Sequence, residues 1–208
     1  PPRSTLFPYT TLFRSGRSVM AEHDLTGPVI GVSFDGTGYG TDGAIWGGEF
    51  LYCTGTSFQR AAHLKYVNLI GGDGSVREGW KSALSYLYAA EHQELITGDD
   101  EICPDLSDVM QYARENRTLQ EYDQDLVNKA LCSQMNTYRS SSMGRLFDGV
   151  AAMLGICACN SYEGQCATLL EDAAARWRKG DRYSEAEELA WRFHEQVAEM
   201  ILKQCLRI

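Results

Sequence analysis

The spacing of apolar residues changes near residue 75 and divides the sequence into a β-rich part and a helix-rich part. The run PVIGVSFD, which begins at Pro28, is apolar and β-branched, and it predicts a buried strand that ends in a turn at DGTGYGTDG. The segments GAIWGGEFLYC and SFQRAAHLKYV predict a second and a third strand. Together the three segments predict an antiparallel meander that reaches Val67.

The sequence after residue 75 has apolar residues at helical spacing. A helix that begins at Ser75 is predicted by the apolar positions Trp80, Ala83, Leu84, Leu87 and Tyr88. Two further helices are predicted over 105–116 and 123–135, and the first of them opens with acidic residues that suit a helix N-terminus.

Three more helices are predicted in the C-terminal part. The loop at residues 139–142 is expected to cap a helix that ends at Gly155. Ser161 precedes a helix that runs through Arg178, and Ser184 begins a long amphipathic helix. A β-meander followed by helices predicts an α/β or α+β fold and by itself indicates no function.

The first fifteen residues, PPRSTLFPYTTLFRS, show neither the alternation of a strand nor the period of a helix. They lack the continuous apolar run of a secretory signal peptide, and they resemble a translated sequencing adapter. A natural disordered tail is the alternative. Residues 1–15 are therefore expected to be an adapter-like non-native or disordered segment that does not pack, and residues 16–208 are expected to form one domain.

Composition and charge exclude several classes of function. The 208 residues carry a formal net charge of -9, so no basic surface is expected to neutralise the phosphates of a nucleic acid. The longest apolar stretches are too short to cross a bilayer, which takes about 20 residues. The seven cysteines form no C-x-x-C pair, and they are expected to be buried reduced thiols in a cytoplasmic protein.

The strongest local signal for a ligand site is Asp35-Gly-Thr-Gly-Tyr-Gly at the end of the first predicted strand. Glycines allow a close backbone approach to a ligand, consecutive amides can hold a phosphate, and the aspartate can hold a metal or orient a nucleotide. The motif is neither a P-loop nor a dinucleotide-binding fingerprint, because no Gly-Lys-Ser/Thr follows it and the next element is a strand. A plain hairpin turn is the alternative.

Weaker signals lie in the helix-rich part. Arg145 and Asp148 are one helical turn apart, so they either face an anion at the helix N-terminus or form an ordinary intrahelical ion pair. Glu163 and Gly164, within SYEGQ, either contact a ligand or belong to a helix cap. The Gly-Gly-Asp at residues 71–73 is interpreted as a connection, and the four histidines as core or surface residues.

Taken in order, these motifs resemble the C-terminal carbamoyltransferase region of the HypF family. The resemblance is carried by DGTGYGTDGAIWGGEF, FQRAAHL, GGD with a tryptophan in the next helix, SSMGRLFDGVAAMLG and SYEGQ, and it covers about Ser18 to the end. It implies an α/β fold of the actin-like, ribonuclease-H-like ATPase type, called Kae1-like. This chain would hold one part of that fold, a β-meander followed by a mostly helical segment.

The resemblance also implies a reaction. In the family, a carbamoyl-adenylate is made from carbamoyl phosphate and ATP in a neighbouring domain. The carbamoyl group then passes to the C-terminal cysteine of the partner protein HypE, on the way to the cyanide ligand of nickel-iron hydrogenase. Because the nucleophile lies on the partner, no cysteine of this chain need be catalytic.

The resemblance implies roles for individual residues as well. Asp35 would be a ligand of a divalent metal, iron or zinc, in the full-length protein. The implied nucleotide contacts are Gly36, Thr37 and Gly38 at the phosphate, Asp148 at the ribose, and Glu163 and Gly164 at the nucleoside.

The sequence departs from the family pattern at both ends. The family has an H-x-x-x-H metal pair before the AEH found here at residues 21–23, and the corresponding positions fall near Thr11 and Ser15, where no histidine stands. The chain also stops at Ile208, ahead of the family's Gly-Gly-x-x-Asn strand and its last aspartate ligand. One carboxylate alone holds a metal poorly, so this chain by itself is expected to bind little iron or zinc and to lack turnover.

Two other functions stay open on the sequence alone. The chain could belong to an O-carbamoyltransferase with a small-molecule acceptor, or it could be a non-catalytic interaction module whose glycines only make turns. Product analysis of the full-length protein with HypE as acceptor distinguishes the O-carbamoyltransferase. Substitution of Asp35 and Asp148 in the full-length protein distinguishes the interaction module, because a pure scaffold would keep its activity.

Overall fold

The structure is a computed structural model that describes residues 11–55, 57–96, 98, 100–179 and 184–208. In this part of the chain the α-helices are α1 (Thr11–Glu22), α2 (Gly79–Glu91), α3 (Ser107–Asn116), α4 (Gln124–Cys132), α5 (Met143–Met153), α6 (Gln165–Arg178) and α7 (Glu185–Arg207). The strands are β1 (Val29–Tyr39), β2 (Ile45–Thr54), β3 (Ser57–Leu64), β4 (Val67–Ile70), β5 (Glu101–Ile102) and β6 (Thr137–Ser140). A short 3₁₀ helix (Gly72–Val76) precedes α2.

These strands form one mixed sheet in the order β4-β6-β2-β3-β5, and β1 pairs with β2 outside that path. The pairings of β1 with β2 and of β2 with β3 are antiparallel, which confirms the predicted meander. β6 and β5 join in parallel through short stretches, with Ile45 opposite Ser140 and His63 opposite Glu101. β2 therefore pairs with three strands and carries the WGGEF sequence into the middle of the sheet.

The first strand differs from its prediction in two ways. β1 does not end in a turn at Asp35 but continues to Tyr39, and its register against β2 breaks between Phe34 and Gly38. The glycine-rich segment is thus a bulge within a long strand. The strand is also half-buried rather than buried, because β2 is its only neighbour in the described sheet.

The third predicted strand is interrupted at Lys65. The backbone amide of Lys65 donates to the carbonyl of Ile102 at 2.7 Å, so the chain follows β5 there and β3 ends at Leu64. β4 then begins at Val67 and pairs antiparallel with β6. The sequence predicts a loop over 139–142, whereas the structure places the first half of that loop in β6.

The helix predictions are confirmed in position, and local caps explain why. Ser142 caps α5 through its hydroxyl oxygen, and Gly155 follows the end of α5 in the left-handed conformation, with φ 68°. Ser184 and Glu187 form a capping box at the start of α7. α2 begins at Gly79, later than predicted, because the 3₁₀ helix occupies the preceding residues.

Helix α1 lies partly inside the segment that the sequence excludes from the fold. It buries Leu12 and Phe13, which are 3% and 1% exposed, in a small apolar cluster with β2. The ring of Phe13 lies 4.6 Å from that of Phe58. The prediction that residues 1–15 do not pack is therefore wrong for these two apolar side chains, which lie on the buried side of an amphipathic helix. Residues 1–10 lie outside the described residues.

The larger apolar cluster is built mainly from helices, with α5 at its centre. Leu146, Val150 and Ala151 are fully buried, so α5 is covered on most of its surface. α2 and α5 cross backbone to backbone, because a Cβ atom on Gly149 would lie 3.2 Å from the amide nitrogen of Ala83. This crossing leaves no layer of side chains between the two helices at that point.

The burial of the cysteines agrees only in part with the prediction from composition. Cys53 and Cys166 are buried as predicted, but Cys132 and Cys159 are exposed, because they lie at the end of α4 and in the loop after α5. Within the described ranges no helix combines the length and the apolar character that a membrane span requires.

Candidate functional site

The bulge in β1 presents the carboxylate of Asp35 at the surface. Residues 35–37 have no register partner on β2, and Asp35 is exposed. Its Oδ1 atom accepts hydrogen bonds from the amides of Gly36 at 2.6 Å and Thr37 at 3.4 Å. The two amides that the sequence suggests for a phosphate are therefore grouped around one anionic oxygen, which shows that the bulge accommodates negative charge.

The N-terminus of α5 packs directly against this bulge. The hydroxyl of Ser142 lies 2.7 Å from the carbonyl oxygen of Gly36, to which it donates, and it accepts from the amide of Arg145 at 3.1 Å. A Cβ atom on Gly144 would lie 2.9 Å from the Cα of Gly36, so only glycine allows this approach. Ser142 thus both begins α5 and holds the bulge against it.

Two glycines of β2 allow the strand to pack closely against the bulge and against the start of α5. A Cβ atom on Gly47 would overlap the carbonyl oxygen of Asp35 and lie 3.0 Å from the Cα of Ser142. A Cβ atom on Gly48 would lie 2.6 Å from the carbonyl oxygen of Ser141. The Gly-Gly of WGGEF is therefore required by close packing between β2, the bulge and the start of α5.

The buried side chain of Glu49 stabilises this packing through hydrogen bonds. It is 0% exposed, and its Oε1 atom accepts from the amides of Gly47 and Gly48 at 3.2 and 3.3 Å. The Ser141 hydroxyl donates to the same oxygen at 2.5 Å, and Arg60 Nε donates to Oε2 at 2.5 Å. Glu49 belongs to none of the predicted site residues; the sequence signal that identifies it is a charged residue inside an apolar central strand.

Arg145 and Asp148 form a buried ion pair one turn into α5. Arg145 Nη2 lies 3.0 Å from Asp148 Oδ2, and the residues are 7% and 1% exposed. Within the described residues Asp148 Oδ2 accepts no hydrogen bond and Arg145 Nε donates none. Burial raises the pKa of Asp148, against the lowering effects of Arg145 and of the hydrogen bond from Asn160. The intrahelical ion pair is thus present, but it is buried and incompletely hydrogen-bonded.

Asn160 connects this ion pair to the loop before α6. Its Nδ2 atom donates to Asp148 Oδ1 at 3.2 Å and to the carbonyl oxygen of Val76 at 2.9 Å. Its Oδ1 atom accepts from the amide of Cys166 at 2.7 Å. Asn160 therefore joins the start of α6 to Asp148 in α5 and to Val76, which is distant in sequence. No sequence pattern points to Asn160, because one asparagine in a loop carries none.

Glu163 and Gly164 lie on the outer side of the same loop. Glu163 is exposed, and Gly164 has φ 78° immediately before α6. The expected cap is provided locally, since Gln165 Oε1 accepts from both the amide and the hydroxyl of Ser161, at 2.6 and 2.7 Å. The carboxylate of Glu163 is therefore available at the surface of the loop.

The structure brings most of the predicted residues into one region. A Cβ atom on Gly36 would lie 3.4 Å from Arg145 Nη2, so the bulge adjoins the Arg145–Asp148 pair, which Asn160 links to the loop of Glu163. Gly38 is the exception. It is buried, and a Cβ atom there would lie 2.6 Å from the carbonyl oxygen of Trp46, so its absence of a side chain is explained by packing.

The described residues do not by themselves fit a metal centre. Among them, no group of three or more His, Cys, Asp or Glu side chains is placed to hold an ion. Asp35 offers one exposed carboxylate, and His63, which is buried, has its Nδ1 atom 2.9 Å from the carbonyl oxygen of Leu64. A divalent cation needs several ligands, so Asp35 would need partners from elsewhere.

Comparison with protein families identifies this region of the sequence. A family model described as "Carbamoyltransferase, Kae1-like Domain, second subdomain" matches residues 31–185. The carbamoyltransferase HypF2 of Cupriavidus necator is 38% identical over 160 residues, which cover 77% of this chain and 18% of that protein. The carbamoyltransferase HypF of Synechocystis is 38% identical over 160 residues, covering 74% of this chain and 20% of the relative.

Solved structures show the same similarity. A full-length HypF, crystallised in a phosphate- and nucleotide-bound form, matches with a TM-score of 0.64 and 34% identity over 79% of this chain and 20% of that one. The HypF of T. kodakarensis matches with a TM-score of 0.59 and 32% identity, over 80% and 21% of the two chains. The predicted Kae1-like α/β fold is confirmed, and the chain spans about a fifth of the length of these relatives.

Proposed function

This chain belongs to the HypF family of carbamoyltransferases, and we propose that it is the part of such an enzyme that holds a carbamoyl-adenylate while its carbamoyl group passes to a protein thiol. The acceptor is the C-terminal cysteine of a HypE-like partner, and the product leads to the cyanide ligand of nickel-iron hydrogenase. The observation that carries the proposal is the contact between the Asp35–Thr37 bulge and the buried Arg145–Asp148 pair.

The bulge is proposed to receive the phosphate of the adenylate. The amides of Gly36 and Thr37 point to one anionic oxygen, so they can donate in the same way to a phosphate oxygen when the Asp35 carboxylate turns away. Gly38 shapes the bulge through its packing. The positive end of α5 faces the same region and favours negative charge there.

Arg145 and Asp148 are proposed to serve the phosphate and the ribose. Arg145 lies beside Gly36, so a small rotation brings its guanidinium, whose planar fork matches phosphate oxygens, to a bound phosphate. Asp148 Oδ2 has no hydrogen-bond donor in the described chain, so it can accept from a ribose hydroxyl once Arg145 has moved. Glu163 and Gly164 lie at the outer loop and are proposed to contact the nucleoside.

The chain supplies only part of the machinery. Asp35 is proposed as one ligand of a divalent metal, iron or zinc, whose other ligands come from the rest of a full-length protein. Such a metal polarises a carbonyl group and neutralises developing charge. ATP and carbamoyl phosphate are proposed to be used by further domains, and the attacking thiol is on the partner, so no cysteine of this chain takes part.

The test uses the full-length enzyme that contains this region, with HypE as acceptor, and follows the mass of HypE. Asp35→Asn and Asp148→Asn are expected to slow carbamoyl transfer about 10²-fold or more, as loss of a charged active-site group does. The exposed Asp172→Asn on α6 is the matched control and should keep the wild-type rate.

Three outcomes would contradict the proposal. Unchanged transfer in both variants would favour a non-catalytic interaction module. Transfer to a small-molecule alcohol in place of HypE would favour an O-carbamoyltransferase. An equal loss of activity in Asp172→Asn would show that the substitutions act through stability and not through the site.

A further inference from the structure

Cys157, in the loop between α5 and α6, and Cys166, at the start of α6, have sulfur atoms that lie closer than van der Waals contact. Cys166 Sγ lies 2.6 Å from Cys157 Sγ, about 0.6 Å more than the length of a disulfide bond. Both residues have free thiols in the structure. We propose that Cys157 and Cys166 are a redox-active pair that forms a disulfide under oxidising conditions, independently of the carbamoyl-transfer chemistry.

The two thiols have different access to solvent, which orders the steps of the reaction. Cys157 is partly exposed, whereas Cys166 is 0% exposed at the start of α6. Burial raises the pKa of the Cys166 thiol, and the neighbouring Cys157 acts in the same direction. Cys157 is therefore the thiol that reacts first with an oxidant from solution.

The oxidant is a small disulfide such as oxidised glutathione. Cys157 loses its proton to water, and its thiolate attacks one sulfur of the small disulfide, which releases one small thiolate and leaves a mixed disulfide. Cys166 then loses its proton and attacks Cys157 Sγ, which releases the second small thiolate. The protein loses two protons and two electrons, and the small disulfide becomes two thiols.

The bond would close a loop around residues that the site uses. Asn160 lies between the two cysteines, and its Oδ1 atom accepts from the backbone amide of Cys166. Its Nδ2 atom donates to Asp148, so the disulfide would fix the segment that links the buried ion pair to Glu163. Closure of so short a loop chiefly restricts the mobility of the residues within it.

Cys159 provides a matched control within the same loop. It is exposed, lies two residues from Cys157, and its thiol, unlike that of Cys157, forms no hydrogen bond with the Cys166 thiol among the described residues. A disulfide that forms only because thiols are crowded together would use Cys159 as readily. A disulfide determined by the observed geometry would use Cys157.

The experiment exposes the chain to glutathione buffers with an increasing oxidised fraction, blocks the remaining thiols by alkylation, and digests the denatured protein with a Glu-specific protease. Cleavage after Glu163 separates Cys157 and Cys159 from Cys166, so the two fragments stay joined only through a disulfide. Wild type and Cys159→Ser should give the joined fragment, and Cys157→Ser should lose it completely.

A second measurement uses the folded protein. The oxidised chain should be cleaved at Glu163 more slowly than the reduced chain, and reduction should restore the faster cleavage. The proposal is overturned if wild type gives no joined fragment in fully oxidised glutathione, if Cys157→Ser keeps it while Cys159→Ser loses it, or if a non-reducing gel shows that the bond joins two chains. None of these readouts depends on transferase activity.

Discussion

Two carboxylates in the described part of the chain are almost completely buried, and their surroundings differ. Glu49, in the central strand β2, accepts hydrogen bonds from two backbone amides, a serine hydroxyl and Arg60. Asp148, in α5, accepts one hydrogen bond from Asn160, and its second oxygen has only the charge of Arg145 beside it. One buried charge is fully satisfied, and the other is not.

The difference indicates separate roles for the two residues. A buried polar group that makes all its hydrogen bonds stabilises one conformation, whereas an unsatisfied group in a well-packed core has a cost that selection tolerates mainly at functional sites. Glu49 is therefore interpreted as the support of the bulge. Asp148 is interpreted as a residue that awaits a ligand.

The largest expected effect is that of Glu49→Ala. The substitution removes the acceptor of Arg60 Nε, of the Ser141 hydroxyl and of two backbone amides, and loss of one member of a buried ion pair costs about 3–5 kcal/mol. Urea unfolding measures this change directly. Glu199→Ala, which removes the exposed partner of Lys203, should cost less than about 1 kcal/mol. Similar losses in the two variants would contradict the structural role of Glu49.

An intermediate effect is expected from Gly47→Ala. The new Cβ atom would overlap the carbonyl oxygen of Asp35, so the bulge must shift, and overpacking of this kind costs about 1–3 kcal/mol. Gly27→Ala is the matched control, because a Cβ atom there meets nothing within 4 Å. Thermal unfolding of both variants measures the difference in their stability. Equal stability would show that the bulge can shift without destabilising the fold.

The smallest expected effect is a dependence of folding stability on pH, and it is the most informative about Asp148. Folding raises the pKa of Asp148, so the folded chain holds this proton more tightly than the unfolded chain. The stability gained from this tighter proton binding is fully present below the ordinary pKa of 3.8. It is lost as the pH rises through the raised pKa of the folded chain. Asparagine does not titrate. The stability of Asp148→Asn relative to wild type should therefore increase with pH across that window and then level off.

Denaturant unfolding of the two proteins from about pH 4 to about pH 7 measures this difference. A difference that falls as the pH rises would mean that Arg145 and Asn160 outweigh burial at Asp148. In that case both buried carboxylates would be satisfied, and the contrast between Glu49 and Asp148 would disappear.

Sequence patterns predicted those elements whose determinants are local. The caps of α5 and α7 were identifiable because Ser142 and the Ser184–Glu187 box act within one helical turn. β6 was missed because TYRS has no apolar alternation and becomes a strand only through its pairing with β4. The sequence predicts a turn where β1 has its bulge because glycine and aspartate favour both, and only pairing with β2 decides between them.

In the candidate site, too, some residues are predictable from the sequence and others are not. The order of the motifs predicts the family, and the structure places Asp35 and Gly36 beside the Arg145–Asp148 pair. The sequence does not predict Glu49 or Asn160, because the role of Glu49 depends on Ser141 and that of Asn160 depends on Val76, and each of these partners is far away in sequence. A buried hydrogen-bond network of this kind is a property of the tertiary structure.

The close crossing of α2 and α5 has a mechanical consequence. A Cβ atom on Gly79 would lie 3.0 Å from the carbonyl oxygen of Asp148, and Gly149 meets the backbone of α2 one turn further along. Flexible side chains normally absorb small shifts between helices, but here backbone rests on backbone. A shift of α2 toward α5 at this crossing would therefore press directly on the backbone of Asp148, with no side chain between them to take up the movement.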